Sequence, residues 1–232
     1  MRAKWLACVI VLTCFLVGCG SAKGTTSQLA WSSRSPTLVV LGDSVSAGQY
    51  VPRDAAYPRL LAADLHAQLV VYAMPGHTTA QTFSMYVGEL APTYVVIELG
   101  TNDYNGSVPL ATFARDYQGV VASISPATRE VCLSVWDPSS AADTTWSSGV
   151  GIPSPVNKVG ASPRMYNTMI AHWCRGTYLS VQALYDTPGY HGSGAPGLIY
   201  HPNGAGDAAI ARLVYRAFSS SLASRKEAQP SR

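Results

Sequence analysis

Thr37-Leu-Val-Val-Leu-Gly-Asp-Ser-Val-Ser-Ala-Gly48 decides how the rest of the chain reads. Five apolar or β-branched residues form a short buried strand, and Gly42-Asp43-Ser44 then breaks it. In open α/β sheets ligands bind just beyond the carboxyl ends of the strands, so a hydroxyl at this point lies where a substrate is expected. Ser44 is therefore the nucleophile candidate. Gly42 allows the backbone to turn sharply and Gly48 allows a close approach to its neighbours. Taken alone, Gly-Asp-Ser also reads as an ordinary turn, and only the stretches around it separate the two readings.

Outward from that strand, strand-like and helix-like segments alternate. Ala55 to Ala67 reads as a helix with Pro58 near its start, and Leu69 to Ala73 as a second strand that turns out through Met74-Pro75-Gly76-His77. A helix from Thr79 to Leu90 follows. Tyr94-Val-Val-Ile-Glu-Leu-Gly100 is a third strand closing on Gly100-Thr-Asn-Asp103. Leu110 to Ser123 is a helix, Val131 to Trp136 a strand, Arg164 to Trp173 a helix, Tyr178 to Leu184 a strand and Gly204 to Leu222 the last helix. Such alternation predicts a parallel sheet wrapped by helices through right-handed crossovers. Two long irregular stretches, Asp137 to Ser162 and Thr187 to Leu198, are expected at the carboxyl edge of the sheet, bordering a substrate. Trp136 and Trp146 are candidates to line a pocket there, although aromatic residues at strand ends more commonly fill a core.

The 232 residues suit one sizeable domain, with no repeat to divide them. Charged residues make up 12% against roughly 25% in an average soluble protein, and 47% are hydrophobic, so a large core is available. The formal charge is +3, and two of those charges, Arg2 and Lys4, sit in the first residues, leaving about +1 for the rest. Nothing in that balance supports nucleic-acid binding.

Arg2 and Lys4 precede an apolar run from Trp5 to Val17 and then small residues, the build of an export signal over residues 1–18. The run ends in Leu16-Val17-Gly18-Cys19, which resembles a bacterial lipobox and implies a lipid on Cys19, residues 19–34 serving as a flexible tether. Ordinary secretion with an incidental cysteine is the other reading. Either places the folded part, residues 35–223, outside the cytoplasm, followed by a polar tail at 224–232 that is expected to be disordered. Cys8 and Cys14 leave with the signal. Cys132 and Cys174 remain, either as a disulfide, which export permits, or as two buried thiols.

A serine hydroxyl is a weak nucleophile, so ester cleavage needs a base within hydrogen-bond reach and donors for the oxyanion. Of the five histidines, His66 and His172 fall in predicted helices away from strand ends. His201, in Tyr200-His201-Pro202-Asn203-Gly204 before the last helix, is placed to close the site as the base. Gly76 and Asn102 follow the second and third strands, where a backbone N–H and an uncharged side-chain amide are suitable donors. In isolation, each also reads as a turn residue.

Together these residues resemble the SGNH hydrolases, the GDSL-type esterases and lipases. The resemblance rests on Gly42-Asp43-Ser44 with Gly48, Pro75-Gly76 with Thr78-Thr79, Gly100-Thr-Asn102-Asp103, and His201-Pro202-Asn203 with Gly206, in that order over about Thr37 to Leu222. Tyr57-Pro58-Arg59-Leu60-Leu61-Ala62 also matches the segment that usually follows the first block. The resemblance implies a flavodoxin-like three-layer α/β/α sandwich with a mostly parallel five-stranded sheet. It further implies Ser44 as nucleophile, His201 as base, and an oxyanion hole made of the Ser44 N–H, the Gly76 N–H and the Asn102 amide, without metal or cofactor. Two departures stand out. Leu198 occupies the position of the aspartate that usually orients the histidine, so a main-chain carbonyl at 198, or Asp186, is expected to take that role. Ala73-Met74 stands where an asparagine often precedes the second block. The implied substrate is a small-molecule, lipid or acylated-sugar ester, and the implied state is a monomer with membrane contact through the lipid. An acyltransferase or carbohydrate deacetylase with the same residues, or a binding protein that has lost catalysis, is the alternative.

Overall fold

The computed structural model describes residues 35–85, 92–137, 158–192 and 200–227, with side chains to 220, all of them within one compact unit, Arg34–Arg232. Cys19, Trp146 and Leu198 lie outside the described residues. So do the predicted signal, the whole of the tether, most of Asp137 to Ser162 and half of Thr187 to Leu198.

Five strands, β1 (Thr37–Gly42), β2 (Gln68–Ala73), β3 (Tyr94–Glu98), β4 (Arg129–Leu133) and β5 (Thr177–Leu179), form one sheet in the order β2-β1-β3-β4-β5. Every pairing is parallel, with Gly42 opposite both Ala73 and Glu98. The fold is thus the flavodoxin-like three-layer sandwich, its strand order reversing between β1 and β3. Side chains of β1 alternate between the faces, Leu38 and Val40 to one and Val39 and Leu41 to the other, all fully buried. Burying each is worth about 1.5–3 kcal/mol, which is why an uninterrupted apolar run occupies the middle of the sheet. Edge strands β2 and β5 are only half-buried.

Helices α1 (Tyr57–Asp64) and α7 (Gly204–Glu227) cover one face, where Tyr57, Leu61, Ile210, Val214 and Phe218 meet the sheet. On the other face, α4 (Leu110–Ser123) and α5 (Pro163–Trp173) supply Phe113, Tyr117, Val120, Tyr166 and Ile170, and α2 (Thr79–Met85) packs beside α4. Two further short helices, α3 (Thr101–Asn105) and α6 (Gln182–Tyr185), complete the described set.

Several boundaries differ from the expectations. The first helix spans Tyr57–Asp64 rather than Ala55 to Ala67. It ends where His66 takes a left-handed backbone (φ 49°), with Ala67 N donating to Ala62 O and His66 N to Ala63 O, a Schellman stop without glycine. The third strand ends at Glu98 rather than Gly100, and Thr101–Asn105 after it is helical. The stretch Tyr178 to Leu184 is strand only to Leu179, and Gln182–Tyr185 is helical. This edge strand pairs on one side only, so little opposes the helical preference of Gln-Ala-Leu. The last helix runs to Glu227, past the 224 boundary of the expected tail, through Ala223, Arg225, Lys226 and Glu227, all good helix formers.

Cys132 and Cys174 form a disulfide that ties β4 to the end of α5 (Cα–Cα 6.1 Å). Beside it, Glu130 accepts Arg175 N at 2.8 Å and pairs with the Arg175 guanidinium at 3.2 Å.

Candidate active site

The turn after β1 is made by close approach. At Gly42 a Cβ would fall inside the van der Waals radius of Ser46 Oγ, so only glycine permits the chain to fold back there. Backbone bonds from Ala47 N to Asp43 O (2.9 Å) and from Gln49 N to Ser44 O (3.0 Å) coil the following residues. Ser44 sits at the head of this turn, 8% exposed, at the switch point of the sheet.

A glutamate organises the turn from below. Glu98, at the end of β3 and 1% exposed, accepts Asp43 N (3.3 Å), Ser46 N (3.3 Å) and Ser46 Oγ (2.9 Å), all on Oε2. The Ser46 hydroxyl spends its one hydrogen on Glu98, so the 2.6 Å contact with Tyr57 is donated by the tyrosine. Tyr57 N in turn donates to Asp207 on α7 (2.7 Å). Burial, with the Asp43 carboxylate beside it, pushes the Glu98 carboxyl well above the ordinary range, which favours the protonated acid. Burial also pushes Asp43 up, opposed by the Val45 N–H and by Glu98.

Asp43 joins the first block to the third. Its Oδ1 accepts Val45 N (3.0 Å) and stands 3.5 Å from Ser44 Oγ, and its Oδ2 accepts the Asn102 amide at 3.1 Å. The other Asn102 amide hydrogen goes to the His77 carbonyl (3.0 Å), which draws in the second block. Asp103, the next residue, accepts Thr79 N (2.8 Å) and Thr79 Oγ1 (2.9 Å), anchoring the start of α2. Thr78 N donates to Gln81 (2.9 Å), half of a capping box at the same helix start. Thr82 Oγ1 returns to Gly42 O at 3.1 Å. Gly76, one residue before His77, has φ 81°, which glycine adopts without strain, and its missing side chain would meet nothing within 4 Å. The ends of β1, β2 and β3 are thus laced into one polar rim.

His201 reaches this rim from the other side. Its Nε2 lies 2.9 Å from Ser44 Oγ. The loop that carries it is held by neighbours. Gly192 N donates to His201 O (3.3 Å), and Asn203 N donates to Tyr190 O (2.9 Å). The Asn203 amide donates to the carbonyls of Gly189 (2.8 Å) and His191 (2.6 Å), while its oxygen caps α7 by accepting Ala205 N and Gly206 N at 3.0 Å each. A Cβ on Gly206 would overlap Tyr190 O, which explains the glycine after Asn203. Trp136, 2% exposed and thus a core residue, donates its indole N–H to Tyr200 O (2.9 Å). Tyr50, half exposed, sets its ring edge-on to the His201 imidazole, centroids 5.0 Å apart.

The structure therefore brings Ser44, Asn102, His201 and the Gly76–His77 turn together. His66 ends α1, and His172 lies in the last turn of α5 against Trp173, so neither belongs to the site. Asp186 caps α6, and its charge, after burial, helps push Asp137 up to about 7. Sequence reasoning passed over Glu98, Asp43 as the link to Asn102, and Tyr50. The signal for Glu98 was present, since it is the single acid in the run Tyr94-Val-Val-Ile-Glu-Leu, which the core must bury.

A parallel 2-1-3-4-5 sheet carrying a serine–histidine pair at its switch point defines a class, the flavodoxin-like serine hydrolases. The chain belongs within it to the GDSL-like lipase/acylhydrolase family, whose model matches residues 40–209, and so to the SGNH superfamily of hydrolytic enzymes. Its structure is similar to that of the psychrotrophic esterase EstA from Pseudoalteromonas sp. (TM-score 0.59, 16% identity, 81% of this chain and 99% of that one). It is also similar to phospholipase A1 from Streptomyces albidoflavus (0.54, 18%, 75% and 95%). A third likeness is to the salicylyl-acyltransferase SsfX3 of a tetracycline biosynthetic pathway (0.62, 16%, 82%), of which this chain spans 55%. By sequence, no curated protein matches.

Proposed function

We propose that this enzyme is a serine esterase that hydrolyses carboxylic esters through an acyl-enzyme on Ser44. The observation that carries the reading is the 2.9 Å contact between Ser44 Oγ and His201 Nε2, across 157 positions of sequence. Neutral His201 accepts the hydroxyl proton as Oγ attacks the ester carbonyl. The oxyanion is held by the N–H groups of Ser44 and Gly76 and by the Asn102 amide. An oxyanion is a stronger acceptor than a neutral carbonyl, so the amide turns to it at the expense of His77 O. The imidazolium then gives its proton to the leaving alcohol. Water, deprotonated by the same nitrogen, attacks the acyl-enzyme and releases the acid with Ser44 restored.

The experiment is hydrolysis of short p-nitrophenyl esters by the wild type and by Ser44→Ala, together with fluorophosphonate labelling. Expected are turnover and labelling in the wild type, and a loss on the order of 10⁴- to 10⁶-fold in the variant. Activity that survives Ser44→Ala would overturn the reading. Including an alcohol or sugar acceptor and analysing the products separates hydrolysis from acyl transfer. Absence of labelling is what a binding protein on this fold would give.

We further propose export to an oxidising compartment with a lipid on Cys19, a main-chain carbonyl at Leu198 that orients His201, and a monomeric state. The Cys132–Cys174 bridge supports export. Among the described residues no helix is long and apolar enough to cross a membrane. Fatty-acid labelling that is equal in wild type and Cys19→Ala would reject the anchor.

A further inference from the structure

The turn that presents Ser44 ends on a residue that the proposed reaction does not use. Tyr50 has φ 72°, a left-handed backbone that is uncommon for any side chain and an outlier for a bulky one. The turn leading to it is fixed by Gln49 N to Ser44 O (3.0 Å), Gly48 N to Val45 O (3.1 Å) and Val51 N to Gly48 O (3.2 Å). The ring is neither part of the core nor loose: it is 52% exposed and lies at 74° to the His201 imidazole, 5.0 Å between centroids. Backbone strain of this kind concentrates where function needs a side chain held in place.

Chemistry decides which half of the ester lies beside it. When the tetrahedral intermediate collapses, the proton on Nε2 goes to the leaving oxygen, so the alcohol departs past the imidazole. The carbonyl oxygen points instead toward Gly76 and Asn102. A ring packed on the imidazole therefore flanks the alcohol. We propose that Tyr50 is a specificity-determining residue for the alcohol half of the ester, its exposed ring receiving an apolar or aromatic face of the leaving group. The inference rests on the esterase reading above. Contact between two aromatic rings is worth about three- to tenfold in affinity beyond area burial.

The test compares ethyl acetate with benzyl acetate, two alcohols of similar acidity, on the full chain in wild type, Tyr50→Gly and Tyr50→Phe. Glycine takes the same φ without strain, so Tyr50→Gly is expected to melt no lower than the wild type. The benzyl-over-ethyl ratio of kcat/KM should fall roughly three- to tenfold in Tyr50→Gly and persist in Tyr50→Phe. The ratio of ethyl acetate to ethyl butyrate, which varies the acyl half, should stay unchanged. An active chain whose benzyl-over-ethyl ratio survives Tyr50→Gly, or in which only the acyl ratio moves, overturns the assignment of Tyr50 alone. A wild type that cleaves no ester and takes no fluorophosphonate overturns the esterase reading and this one with it.

Discussion

Around Ser44 the fixing contacts come from distant parts of the chain and are largely acidic. Glu98 lies 52 to 55 positions away, Asn102 is 59 from Asp43, and Asp207 holds Tyr57 across 150. Around His201 the hydrogen bonds that hold the loop come from neutral groups and are mostly local, the Asn203 amide reaching carbonyls no more than 14 positions off, while the Trp136 indole reaches Tyr200 O across 64. The nucleophile is thus set by the assembled sheet and the base by a loop. Damage to the first should cost folding and activity together, whereas damage to the second should cost activity first.

The harshest way to test that contrast is Glu98→Leu. It leaves Asp43 N, Ser46 N and Ser46 Oγ without an acceptor at about 1–3 kcal/mol each, against a total stability of roughly 5–15 kcal/mol. We expect a chain that fails to fold or melts more than about 10 °C lower. Glu98→Gln should keep most of the stability, because an amide replaces a protonated acid with its acceptor intact. A glutamine variant as unstable as the leucine one would show that Glu98 is ionised.

Asn203→Ala makes the complementary change. Losing the cap costs about 1 kcal/mol, but a base displaced by 1 Å costs on the order of a hundredfold in kcat. Thermal melting and steady-state kinetics on one preparation give both numbers. Loss of stability in proportion to turnover would break the contrast.

Acidity separates the halves in another way. Burial pushes Asp137 and Asp207 up to about 7, so the fold keeps protons that the unfolded chain has already released above about 4. Their contribution is full at low pH and is lost as pH rises through 7, so melting temperature should decline between pH 5 and 8, less steeply in Asp207→Asn. Turnover should rise with pH over the same interval, because the base works only when the His201 imidazole is neutral. The smallest expected effect is Trp136→Phe. It removes the donor to Tyr200 O at about 0.5–1.5 kcal/mol, to which the cavity left by the smaller ring adds, and it lowers kcat only a few-fold.

The architecture was readable because its signals are local. Apolar runs closing on Ser44, Gly76 and Asn102 and the helical spacing between them suffice for a parallel sheet, and order along the chain places His201 beside the first strand end. What escaped was of another kind. That Glu98 serves the turn of a different strand follows from pairing Gly42 with Glu98, which no pattern within either segment encodes. The helical turn at Thr101–Asn105 follows a glycine with φ 123° and is held by Asp103 and Thr79 across 24 residues. Tyr50 lay in an unremarkable polar stretch, and only its backbone conformation, set by the turn before it, directs the ring onto the imidazole.

The bridge joins Cys132 to Cys174 across a sequence separation of 42, a span that includes the whole of 138–157. A single peptide-bond cut anywhere inside that span would leave the polypeptide in one covalent piece, β4 still joined to the carboxyl-terminal fragment that carries His201. Nicked enzyme would then migrate as intact protein without reductant and as two fragments with it, and the nucleophile and its base would stay tethered through sulfur rather than through the backbone.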